Sequence, residues 1–190
     1  MHNGTLDRSL LENEFETLVS KSKNYINTRD KEELNSLRSD IEQLRIKLNN
    51  ALRDSSNRHN ANYRTALKLM LSIMNKFTDS VELMDNLKSE RPIFQEFDTH
   101  KMLDIILPNI KYLVNYESWC SKLDTKKLEA DYQYIESLED QHKRVLLTYL
   151  LQDFHNMDEV INLLKIGEIY KSIAEKLVSL SQLQGYMEEQ

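Results

Sequence analysis

The sequence predicts an all-α protein, an elongated helical bundle or coiled coil of about four to five helices. Three observations carry that expectation. Three Gly and two Pro in 190 residues leave few chain breakers, where Gly alone averages about 7% of a typical protein. Apolar residues recur at steps of three and four along most of the chain, which places them on one face of a helix. Strongly polar or proline-bearing interruptions are few and well separated. A length of 190 residues also fits one domain, at roughly 100–200 residues each. We therefore read 1–190 as a single elongated helical domain: an N-terminal helical arm 6–53, a polar loop 54–62, and central and C-terminal helices 63–190.

In chain order, Leu11, Phe15, Leu18 and Tyr25 make a first stripe, weakened around Asn24 to Arg29. Thr28 or Asp30 can cap the helix that follows. Leu34, Leu37, Ile41, Leu44, Leu48 and Ala51 then form an a/d heptad seam flanked by Glu33, Arg38, Asp40, Glu42, Arg45 and Lys47. Such charges commonly hold the solvated and partner-selecting positions of a coiled coil. Asp54 to Asn62 is the most polar stretch, and its Ser and Asn side chains compete with helix for backbone bonds. Ala66, Met70, Ile73, Phe77, Val81, Met84 and Leu87 define the next helix, which Pro92 is expected to close.

The stretch Asp98 to Asp124 carries the only Trp, the only Cys and one of the prolines. Asp98 or Thr99 can cap it, and Met102/Leu103, Ile106, Ile110 and Leu113 make its inner face. Pro108 inside that pattern predicts a kink or a new helix start. From Lys126 a stripe runs through Leu128, Ile135, Leu138, Val145, Tyr149, Met157, Val160 and Leu164, then Ile173, Leu177, Leu180, Leu183 and Met187. His155-Asn156 and Gly167 are its weak points, although one Gly costs only about 1 kcal/mol against Ala inside a helix. These imperfect heptads fit packing within the chain as well as packing against a partner.

Composition excludes several classes of function. The net charge is −6, with 25 basic and 31 acidic residues intermixed, so no basic patch is built to release counterions from nucleic acid. The same lack of a Lys/Arg-rich face argues against a membrane-binding surface. No segment approaches the roughly 18 apolar residues of a membrane span. The polar, acidic start reads as neither signal nor transit peptide, and a single cysteine suits a reducing compartment. A cytosolic location is expected.

Catalytic, cofactor and metal sites are all expected to be absent. Glu139-x-x-His142 is half of a di-iron carboxylate motif, but no second copy exists, since His155 is preceded at that offset by Gln152. Glu139 and His142 read as a pair on a solvated face. His2, His59 and His100 lack ligand spacing. Cys120 beside Trp119 reads as a small buried hydrophobe, because no cation or helix start is placed to lower its pKa. Lys126-Lys127 and His142-Lys143-Arg144 read as solvated helix faces, and Met70, Phe77, Met84, Phe154 and Met157 as core. Three glycines cannot build a phosphate loop.

A family resemblance enters at Lys76 to Asp85, KFTDSVELMD. A Lys-x-x-Asp pattern there runs on to two apolar residues and Asp. Asp98, Lys101 and Ile106-Leu107 follow, then Ile110, Leu113 and Leu123-Asp124, and finally Gln182-Leu183-x-x-Tyr186-x-Glu188. This series resembles the dynactin subunit 3 family, the small helical chains of the dynactin shoulder, over roughly residues 70–190. The resemblance implies a structural subunit without catalytic residues, pairing with dynamitin and the long p150 chain of dynactin. It implies support of dynein-driven transport along microtubules, in cytoplasm and cytoskeleton, at centrosomes, and at kinetochores and spindle in mitosis. Two other readings stay open on the residues alone: a coiled-coil subunit of a kinetochore, spindle or vesicle-tethering complex, and a helical-bundle metalloenzyme built on Glu139 and His142.

Overall fold

The described residues form an all-α helical bundle without strands. The computed structural model describes Glu14, Thr17, Leu18, Ser20, Lys21, Ser22, Asn24, Tyr25, Thr28 and 30–54, then 61–87. It further describes Lys101, Met102, Asp104, Ile105, Ile106 and Asn109, then 125–152 and 157–188. Four helices have defined bounds: α1 Lys31–Asp54, α2 Ala61–Asp85, α3 Thr125–Gln152 and α4 Met157–Glu188. Their lengths of 24, 25, 28 and 32 residues are at least double the mean of about 11–12, as the scarcity of Gly and Pro requires. Pro92, Pro108, Trp119, Cys120, Phe154 and Met187 lie outside the residues whose side chains are described, and so does the kink expected at Pro108.

Asp30 starts α1. Its Oδ1 accepts the Glu32 backbone N–H at 2.9 Å, and its carbonyl accepts the Leu34 N–H at 3.0 Å. This is the N-cap arrangement that satisfies donors left orphaned at a helix start. Leu34, Leu37, Ile41, Leu44, Leu48 and Ala51 are all buried. The heptad seam is therefore closed inside this chain.

Two neighbours close it. The segment around Glu14–Tyr25 runs antiparallel to α1: Lys47 pairs with Glu14, and Lys21 reaches Asp40 at 2.5 Å and Ser36 at 2.8 Å. Advancing from Glu14 to Lys21 thus retreats from Lys47 to Asp40. Leu18 and Tyr25 are buried in this contact region. On another side α1 packs against α2, and Arg38 donates to Asp85 at 3.2 Å. The charges flanking the seam are taken up within the chain. Glu33 accepts from Thr28 at 3.1 Å, and Glu42 pairs with Arg45 at 2.7 Å on the same helix.

α2 buries Ala66, Leu67, Met70, Ile73, Met74, Phe77, Val81 and Met84. Buried Ser80 satisfies its hydroxyl by donating to the Phe77 carbonyl at 2.8 Å, which keeps a polar group affordable in the core. The helix ends at Asp85, ahead of the closure expected at Pro92. Leu87 N–H bonds the Met84 carbonyl at 3.1 Å, a tightened last turn that tucks the buried Leu87 side chain back onto the core.

α2 packs against α4, and α4 against α3, so α4 is flanked on two sides. That explains its wide buried arc: Val160, Leu163, Ile166, Ile169, Tyr170, Ile173, Ala174, Leu177 and Leu180. Gly167 sits within α4 without breaking it. Asn109, buried beside Met102 and Ile106, donates to Asp131 of α3 at 2.8 Å, which ties the 101–109 segment to that helix. No helix among the described residues is long and apolar enough to cross a membrane.

Candidate interaction surface

α3 and α4 run antiparallel, and their register is set by charge. Lys171 of α4 reaches Glu136 of α3 at 2.7 Å, while Lys143 of α3 lies 3.7 Å from Glu168 of α4. Between these two crossings lies Glu139. Its side chain was expected on a solvated face beside His142, but it is 1% exposed. Two facts account for this. The Glu139 stem packs against α4 at Gly167, where an added Cβ would meet its Cγ at 3.6 Å, an ordinary contact. Lys143, one turn on, brings its ammonium to 2.5 Å from Glu139 Oε1. The pair approaches closely without hydrogen-bond alignment at Oε1, and Oε2 has no hydrogen-bond partner.

A buried ion pair recovers its desolvation cost only when well bonded, so Glu139 and Lys143 are weak evidence for stability. The inter-helix pairs Lys171–Glu136 and Lys143–Glu168 are the contacts that mark the register of α3 on α4. The basic cluster His142-Lys143-Arg144 accordingly divides. Lys143 turns inward to the seam, His142 is half-buried, and Arg144 is exposed.

The seam continues to Tyr132, whose hydroxyl lies 3.5 Å from Glu136 Oε1. Burial, and next the Glu136 charge, push the Tyr132 phenol above its ordinary range. The bond from Lys171 holds the Glu136 carboxyl below the usual carboxylate range and raises the Lys171 ammonium in turn. The close ion pair with Glu139 likewise raises the Lys143 ammonium. Every shift favours the paired form found here. No nucleophile and base are brought together by this arrangement, and it holds its charges in mutual compensation.

Metal ligation fares no better. Among the described residues no group of three or more His, Cys, Asp or Glu side chains is placed to hold a metal ion. His142 and Glu139 share a helix, but the carboxylate is engaged by Lys143. His2, His59, His100, His155 and Cys120 lie outside the described residues.

The seam leads to an apolar surface that the heptad reading missed. Val145 and Met157 were expected in the core, yet they are 39% and 49% exposed. Leu147 and Leu151 stand out further, at 52% and 79%. The cause lies in the run Val145-Leu146-Leu147, which offers an apolar side chain in three successive directions. α4 takes Leu146, which is fully buried, and leaves Val145 and Leu147 outside. The inward line of α3 thus passes through Ile135, Glu139 and Leu146, a drift that a 3.6-residue period imposes on a 3.5-residue pattern. Met157 is exposed because it opens α4, before Val160 begins the buried arc.

No family model matches the chain, and no curated protein matches it in sequence.

Proposed function

We propose that this chain is a non-catalytic helical subunit of a larger cytoskeletal assembly, of the dynactin-shoulder type. One observation carries the subunit reading: α3 and α4 expose Leu147, Leu151 and Met157 at their adjoining ends, while Ile46 and Tyr134 are exposed elsewhere among the described residues. Single exposed apolar residues are ordinary, but a group of them at one place marks an interaction surface. In the neighbouring seam Glu136, Glu139 and Glu168 are engaged by Lys143 and Lys171.

The dynactin-type form of the reading rests on the residue series from Lys76 to Glu188. Within that series Phe77, Val81 and Met84 pack in the core, and Asp85 accepts from Arg38. Those residues hold α2 in place, and contact with partners falls to other surfaces of the subunit. Co-expression with dynamitin is the test. A soluble complex of fixed stoichiometry is expected, and two proteins that separate under gentle purification would remove the dynactin assignment.

A further inference from the structure

We draw no further inference here: the strongest candidate, the apolar patch of Leu147, Leu151 and Met157 at the adjoining ends of α3 and α4, carries nothing further because nothing in the structure shows what covers it.

Discussion

The seam of α1 and the flank of α3–α4 are built from similar residues and end up in opposite situations. Along α1 every position of the heptad seam from Leu34 to Ala51 is buried, with Ile46 alone of the isoleucines and leucines in that span exposed off the seam, and the charges beside it are answered by Glu14, Lys21, Thr28 and Asp85 of the same chain. Along α3 the carboxylate of Glu139 occupies an inward position while Leu147 and Leu151 stand outside. A regular heptad with matched flanking charges would ordinarily be taken as the surface for a partner helix. Here the regular stripe is the internal one, and the irregular stripe leaves Leu147 and Leu151 exposed. Regularity reflects how well two helices pack and carries no information about whether they belong to one chain.

The sharpest way to break this contrast is to truncate one leucine on each side. Leu44→Ala removes a fully buried side chain from the α1 seam and should cost about 2–5 kcal/mol. Leu151→Ala removes an exposed one and should stay within about 0.5 kcal/mol. Urea unfolding followed by circular dichroism gives both values. Equal costs at the two positions would erase the distinction between closed seam and open flank.

Next comes the buried carboxylate. Lys143→Met leaves Glu139 without its counter-charge, and because the lysine is partly solvated the loss should be about 1–3 kcal/mol. Adding Glu139→Leu should recover most of that loss, since a well-packed apolar residue often replaces a buried ion pair at little cost. A double-mutant cycle on thermal unfolding reads the coupling. If Lys143→Met is neutral, Glu139 does not depend on it.

Gly167→Ala should be smaller in effect and opposite in sign. The new methyl group meets Glu139 Cγ at 3.6 Å, ordinary contact, so the helix propensity of Ala should show as a gain of up to about 1 kcal/mol. A loss on denaturant unfolding would mean that the packing at Gly167 is tighter than this distance implies.

Smallest is the pH dependence of the seam. Glu136 is depressed, so its contribution is present above the ordinary carboxylate range and is lost as pH falls through its lowered value. Lys171 and Tyr132 are raised, so theirs are present below their ordinary ranges and are lost as pH climbs through the raised values. The thermal midpoint should therefore be flat near neutrality and fall at both ends. Lys171→Met should flatten the acid limb due to Glu136, and an unchanged acid limb would show that Lys171 is not what holds that carboxyl ionised.

Much of this fold could be read from the residues. The α1 seam, the α2 stripe from Ala66 to Leu87, the cap at Asp30 and the change of helix near His155 all follow from spacing and from the few polar interruptions. Spacing was enough there because each helix offers one apolar line. It was insufficient in α3 and α4. Val145-Leu146-Leu147 offers several lines, and only the position of α4 selects Leu146. Ile166, Ile169, Tyr170 and Ala174 are buried because α4 has neighbours on two sides, which no one-stripe pattern anticipates. Glu139 was placed outside by its charge. Its burial comes with α4 lying across it and with Lys143 as counter-charge, which appear only once the hairpin is paired. The exposed apolar group was hidden for the same reason, since exposure of Leu147 and Leu151 is a property of packing.

Hydrogen–deuterium exchange on the isolated full-length chain tests the contrast most directly. Amides of residues 34–51 should exchange slowly, as part of a seam closed within one molecule, and amides of 147–152 should exchange faster on an uncovered helix end. Fast exchange across 34–51, with slow exchange across 147–152, would contradict it, because the regular seam would then be the surface awaiting a partner.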